Sequence, residues 1–246
     1  MKTIQLNGQA LPVANIFCIG RNYHEHIREL DNAVPTEPVV FLKPTSALLA
    51  VGEDIVLPAF SNDVHYECEL VVYIGRDAHN ISAAEALAHV GGYAIGLDLT
   101  ARDVQSAAKV QGLPWTQAKG FRGAACVSAF VAAAAVGNIQ AQAFSLSVNG
   151  QIRQQGDSAQ MILPVAQQIA YLSAVYGLQA GDLIYTGTPA GVGKMVAGDE
   201  LHLRWLQRWR PRSVCASIAV FWSGIMRFAS KQIADCALYQ AQTLLQ

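Results

Sequence analysis

Glu67 and Glu69 stand two residues apart in HYECELVVYIG, residues 65 to 75. The second half of that stretch is rich in Val, Tyr and Ile, which favours a strand. On a strand, positions i and i+2 project from one face, so the two carboxylates lie side by side and repel unless a cation sits between them. A hard divalent ion with oxygen ligands suits that place. A solvated edge-strand face gives the same spacing, and His65 nearby does not by itself make a zinc site. Asp98 lies in YAIGLDLT, an otherwise apolar run. A carboxylate there needs a strand end, an ion-pair partner, a metal or a helix to cap. His26 and Glu29 share a helix face at i, i+3, and a His held by a carboxylate suits proton transfer near neutral pH. An exposed helix of mixed charge reads the same way, and His24 and Glu25 are equally available on this evidence. Lys43 in FLKP and Lys119 in AKGF are lone cations among apolar residues and glycine. Such a side chain either reaches water or meets an anion. TGTPAGVG, residues 186–193, lacks the GxxxxGK[ST] spacing of a phosphate loop. A turn whose backbone N–H groups face a substrate carboxylate is the alternative.

The elements that must position these residues are short. Residues 3–6 with Gly8 predict a strand and turn, and Asn15–Gly20 a buried strand. Residues 21–30 read as a turn or two of helix. Val39–Leu42 and Ile55–Leu57 are apolar runs closed by proline. Ser82 with Glu85 forms a capping box for a helix over 82–89. Tyr93–Leu99 is strand-like and Ala101–Val110 helical. Phe144–Val148 alternates and is followed by Asn149-Gly150, a strong hairpin signal. Pro164–Tyr176 carries a helical stripe at Val165, Ile169, Leu172 and Tyr176, with Gly177 beyond it. Leu183–Thr186 and Leu201–Trp205 are the last strands. Many short strands with few helices predict an α+β, mainly β fold rather than a doubly wound sheet.

Composition narrows the function classes. The chain of 246 residues is 52% hydrophobic and 14% charged, with net charge −1 and mean hydropathy +0.25. It is no disordered chain and no basic nucleic-acid binder. The charge-free stretch Ser213–Met226 is too short to span a bilayer. The start shows no apolar leader, and the five cysteines form no CxxC pair. A reducing cytoplasm is the expected location, with neither nucleic acid nor membrane as partner. The charge is uneven: residues 206–246 hold five Lys/Arg and one acid, against 12 Lys/Arg and 17 acids before them.

Together the motifs form a series: IGRNYHEHIREL, PVVFLKP, HYECEL, GLDLTARDVQ, WTQAKGF, LSVNGQIRQQGDSAQMI, GDLIYTGTPAGVG and GDEL. In this order they resemble the fumarylacetoacetate hydrolase family, most closely its small bacterial acylpyruvate and fumarylpyruvate hydrolase branch. The resemblance runs from about residue 14 to 205. It implies a mixed β-roll with short peripheral helices, a homodimer, and Mg²⁺ in the roll, with Mn²⁺ or Ca²⁺ as alternatives. It places Glu67, Glu69 and Asp98 as metal ligands and His26, Glu29 and Lys119 as catalytic residues, so that His26 rather than His24 takes the catalytic position. Asn22, Tyr23, Arg102, Gln105 and Thr188 match substrate-pocket positions, and Lys43 matches a recurring lysine of open role. The implied substrate is a small 2-oxo or 2,4-diketo acid. The expected reaction is metal-dependent hydrolysis of the C–C bond of an acylpyruvate such as fumarylpyruvate or acetylpyruvate, releasing pyruvate. The alternative is decarboxylation or enol–keto tautomerisation of oxaloacetate at the same site. Residues 1–205 form one catalytic domain in this reading. Residues 206–246 depart from the family pattern and read as a genuine extension or as a frameshifted, disordered end.

Overall fold

Runs that are apolar on nearly every position become strands covered on both faces, and runs that alternate become half-buried ones. Cys68–Ile74 is buried throughout, as is Val90–Asp98 from Tyr93 onward, whereas Ala143–Val148 alternates between buried and part-exposed positions. In this computed structural model the described residues are 1–49 and 53–206, with three two-residue strands beyond them, Ser217–Ile218, Met226–Arg227 and Ser230–Lys231. The extension-or-frameshift reading of residues 206–246 otherwise falls outside the described residues.

The main sheet is mixed and curls into a half-barrel. Its order is Val39–Lys43, Ile16–Gly20, Leu183–Tyr185, Cys68–Ile74, Val90–Asp98, Ala125–Val127 and Leu48–Leu49, with Val131–Ala132 also paired to Val90–Asp98. Leu183–Tyr185 runs parallel to Ile16–Gly20, and Ala125–Val127 runs parallel to Leu48–Leu49; the other pairs are antiparallel. A second sheet joins Thr100–Ala101, Val64–Tyr66 and Gly193–Lys194, and a third joins Gln151–Asp157, Ala143–Val148 and Leu201–Leu206. Five α-helices lie among these strands: α1 (His24–Glu29), α2 (Ala83–Ala86), α3 (Arg102–Gln111), α4 (Thr116–Lys119) and α5 (Val165–Val175).

Two expectations change in detail. The strand expected in the second half of residues 65–75 forms as Cys68–Ile74 and carries Glu69, but Glu67 lies at the junction where the chain passes to it from Val64–Tyr66 of the three-stranded sheet. The ladder continues through the junction, since Asp98 N–H donates to the Glu67 carbonyl at 2.9 Å. The helix expected over 82–89 keeps its capping box, with Ser82 N–H donating to Glu85 at 3.1 Å, but tightens into a 3₁₀ turn at Leu87–His89. The strand Val90–Asp98 starts at the next residue, so no room remains for another α turn. The Asn149-Gly150 hairpin forms with positive φ at both residues, 51° and 78°.

Candidate metal centre and active site

Glu69 lies on Cys68–Ile74 and Asp98 ends the neighbouring antiparallel strand, with Cys68 opposite Leu97. Glu67 at the sheet junction therefore faces Asp98 across the pair. One oxygen from each of the three carboxylates lies within 4.8 Å of the others, and all three residues are buried. Three cations surround them. Lys119, at the end of α4, donates to Glu67 Oε2 at 2.6 Å and to Asp98 Oδ2 at 2.8 Å. Arg102, at the start of α3, pairs with Glu67 Oε1 and donates to Gln105 Oε1 at 2.6 Å. Lys43, its side chain fully buried at the end of Val39–Lys43, pairs with Asp98 Oδ1 at 2.7 Å and donates to the Leu99 carbonyl at 3.2 Å. The lone lysine of FLKP thus meets an anion beneath the acidic cluster.

All three cations serve Glu67 and Asp98. The hydrogen bond to Glu69 comes from the Gly187 N–H, at 2.8 Å. The titration behaviour follows. Burial alone would raise Glu67, but Lys119, Arg102 and His26 outweigh it and hold the carboxyl well below its usual range. Burial, with Asp98 and then Glu67 beside it, pushes Glu69 well above. Burial would lower Lys119, but Asp98 and Glu67 keep its ammonium firmly charged. Among the described residues Glu69 is the one of the three acids with no direct ion pair.

Above this floor stands α1. His26 Nδ1 lies 3.3 Å from Glu29 Oε2, and Glu29 Oε1 accepts from the Gly191 N–H at 2.9 Å. Burial lowers His26 below 6.5, with Glu67 and Glu29 pulling the other way, so the ring is neutral at pH 7. The N–H groups of TGTPAGVG therefore face protein carboxylates, Glu69 and Glu29. Both donors are glycines at positive φ, 102° and 96°. A Cβ on Gly187 would meet Asn22 Cβ at 2.6 Å, and one on Gly191 the Arg153 carbonyl oxygen at 2.0 Å.

A cavity open on one side lies between floor and helix. His26, Arg102, Gln105, Lys119 and Thr188 line it together with the three carboxylates. Thr188 is also a fixture of the wall: its hydroxyl donates to the Cys68 carbonyl at 2.9 Å and accepts from Gln154 at 2.8 Å. Asn22 and Tyr23 lie outside the lining. Asn22 donates to the Leu163 and Thr186 carbonyls at 3.1 and 2.8 Å and accepts from Leu163 N–H at 2.7 Å, which ties α1 to the loops under it. Tyr23 is buried, and its hydroxyl has no partner among the described residues. Two charged lining residues went unnoticed in the sequence, Arg21 and Lys109. Lys109 follows Arg102 and Gln105 at helical spacing, and Arg21 directly precedes Asn22-Tyr23; those positions were the only signal.

The model of the fumarylacetoacetate (FAA) hydrolase C-terminal domain matches residues 15–216. The chain belongs to the fumarylacetoacetate hydrolase family. Among curated relatives, the mitochondrial oxaloacetate tautomerase FAHD1 of Homo sapiens is 45% identical over 187 residues, 76% of this chain and 85% of that protein. The oxaloacetate tautomerase YcgM of Escherichia coli is 44% identical over 191 residues, 77% of this chain and 87% of that protein. Among solved structures, fumarylpyruvate hydrolase from Pseudomonas aeruginosa, in complex with Mn²⁺ and pyruvate, superposes with TM-score 0.79 at 36% identity, covering 83% of this chain and 92% of that one.

The donor set of this family member fits a divalent ion. All three candidate ligands are carboxylates, which select hard cations over zinc or copper. Glu69 has no direct ion pair among the described residues, and Asp98 Oδ1 is buried with no well-directed hydrogen bond despite the nearby Lys43. A cation among the three would meet both needs. No described helix is long and apolar enough to cross a membrane.

Proposed function

We propose that the protein interconverts the enol and keto forms of oxaloacetate with the help of a divalent metal held by Glu67, Glu69 and Asp98. The observation that carries this reading is that both curated relatives described above, from a mammal and a bacterium, are named oxaloacetate tautomerases. The site supplies the parts. A divalent ion, when bound, polarises the 2-oxo group and offsets charge growing on its oxygen. Lys119, held charged by Asp98 and Glu67, adds a second positive group on the cavity floor. Arg102 fixes Glu67 and Gln105 in place. His26 turns Nδ1 to Glu29, which leaves Nε2 to carry the proton to and from C3, while Glu29 steadies the imidazolium. In the enol-to-keto direction the enol O–H breaks and its proton passes to His26 Nε2, C2–O becomes a double bond as C2=C3 becomes single, and C3 takes a proton from Nε2; no oxidation or group transfer occurs.

Mg²⁺ is our choice of metal, with Mn²⁺ or Ca²⁺ as alternatives, on the all-oxygen donor set. A homodimer follows the family resemblance, and light scattering on the purified protein tests it.

Acylpyruvate hydrolysis is the second reading. The likeness to a fumarylpyruvate hydrolase favours it. There His26 would take a proton from water, the resulting hydroxide would attack the distal carbonyl, and the C–C bond would break to a carboxylic acid and pyruvate enolate. One assay separates the two: purified protein with Mg²⁺, offered enol oxaloacetate, acetylpyruvate and fumarylpyruvate, with oxaloacetate followed both for enol loss and for CO₂ release. Rapid enol loss without CO₂ supports tautomerisation. Cleavage of an acylpyruvate with no acceleration of enol loss overturns it.

A further inference from the structure

The cations in the cavity fall into two groups. Lys119 and Arg102 are spent on the acidic floor, where Glu67 and Asp98 neutralise them. Arg21 and Lys109 line the same cavity toward its exposed side, and no carboxylate pairs with either among the described residues. Their partners are neutral. Arg21 donates to the amide oxygen of Asn32 at 3.1 Å, and the Lys109 ammonium lies 5.6 Å from the centre of the Trp115 ring. Asn32 and Trp115 also line the cavity, so the neutral groups hold the cations without quenching them.

Backbone geometry puts both side chains there deliberately. Arg21 adopts φ 56°, in the left-handed region that a non-glycine residue occupies at a cost. Arg102, Gln105 and Lys109 follow at i, i+3 and i+7 on α3, so they share a face. Helical side chains lean toward the N-terminus, which swings Lys109 back over the cavity toward Arg102. Burial and then the charge of Arg21, followed by Arg102 and Lys119, lower Lys109 from its ordinary value, as expected of cations that face one another across one space. An anion seated between them removes that repulsion.

We propose that Arg21 and Lys109 form the subsite for the second carboxylate of a four-carbon 2-oxo dicarboxylate whose 2-oxo carboxylate end faces Glu67, Glu69 and Asp98. The inference rests on the substrate reading above and deepens it by saying what separates oxaloacetate from 2-oxo acids with an uncharged tail. Both cations line the cavity whose floor is the three carboxylates, so a ligand with one end at the floor can present its other end to them. Arg21 and Lys109 are specificity residues in this account. They bind and select, and the proton transfer stays with His26.

The test compares two ligands of one skeleton. Oxaloacetate and 2-oxobutanoate share the 2-oxo acid head and four carbons, and differ by a carboxylate against a methyl group at the far end. Dissociation constants are measured by calorimetry on the Mg²⁺-loaded full chain for wild type, Lys109→Met and the Arg21→Met/Lys109→Met double variant. Each charge-assisted contact is worth about ten-fold. Wild type is therefore expected to bind oxaloacetate about 100-fold more tightly than 2-oxobutanoate, Lys109→Met about ten-fold, and the double variant about equally, with 2-oxobutanoate affinity constant throughout. Lys109 is an exposed helical position, so its variant keeps the fold. An unchanged ratio, or equal weakening of both ligands, overturns the subsite. The two proposals fail separately. If oxaloacetate shows the expected ratio but no catalysed enol loss, the subsite stands and the reaction reading falls. If enol loss is fast but the ratio ignores both cations, the reaction stands and the subsite falls.

Discussion

Lys43→Met removes the one cation that reaches Asp98 Oδ1 from beneath. Methionine keeps most of the apolar stem and fills irregular space well, so the change is chiefly one of charge. The wild-type pair is 2.7 Å apart, with side-chain exposures of 0% and 1%. Deleting one member of a fully buried pair costs about 3–5 kcal/mol, because the other charge is left desolvated. Lys119 still touches Asp98 Oδ2, which places the expectation at the lower end, about 3 kcal/mol. For a chain of this size each kcal/mol moves Tm by about 2–4 °C, so the metal-stripped variant should melt about 6–12 °C below wild type. A second consequence is diagnostic. A divalent ion bound by the triad supplies positive charge to the same carboxylate, so saturating Mg²⁺ should raise the Tm of Lys43→Met by more than it raises wild type. Differential scanning fluorimetry with EDTA and with Mg²⁺ reads both. A metal-free loss under about 1 kcal/mol, or equal Mg²⁺ increments in the two proteins, refutes the idea that Lys43 and the metal share Asp98.

The remaining predictions concern the site itself. Glu69→Ala should keep the fold yet lose Mg²⁺ binding, and with it at least about 100-fold in kcat/KM; calorimetric titration with Mg²⁺ checks the first part, and full activity in metal-depleted buffer would defeat the metal assignment. For His26→Ala we expect retained Mg²⁺ binding with turnover down about 10²–10⁴-fold, while His24→Ala stays near wild type; similar losses in both would shift the proton carrier off His26. The pH profile has a definite sign. His26 must be neutral to accept a proton, and burial lowers it from 6.5 against the pull of Glu67 and Glu29, with Arg102 assisting. The acid limb of the rate should therefore be centred below pH 6.5; an acid limb centred above 6.5 contradicts this. Gly191→Ala forces a Cβ to within 2.0 Å of the Arg153 carbonyl at φ 96°. The loop must shift and drop Glu29, so kcat should fall while the Mg²⁺ dissociation constant holds; a parallel loss of metal binding would show that the whole loop had collapsed.

Features written in adjacent residues were legible before the structure. Asn149-Gly150 announced a hairpin because two positive φ values are cheap there, and Ser82 with Glu85 announced a cap because its bonds close within one turn. The alternation of Phe144–Val148 told which side faces the core. What depended on distant partners was not legible. Nothing around Lys43 says that its ammonium ends under Asp98, and nothing in TGTPAGVG says that two of its N–H groups point at Glu69 and Glu29. Glu67 falls outside the strand that carries Glu69 because Thr100–Ala101 and Gly193–Lys194 claim Val64–Tyr66 for another sheet, a choice made by segments far along the chain. Arg21 and Lys109 stayed hidden for the same reason: single cations gain meaning only when folding leaves them without an acid.

The glycine loop grips two things with unequal strength. Its inner hold, Gly187 on Glu69, is sealed in the interior, while its outer hold, Gly191 on Glu29, lies at the surface where water competes for the same bond. Losing the outer bond takes a backbone anchor from Glu29, while the Gly187 bond to Glu69 on the acidic floor is untouched. One short loop thus fastens a carboxylate of the cavity floor and a carboxylate of the helix above it through two separate bonds, one dry and one wet.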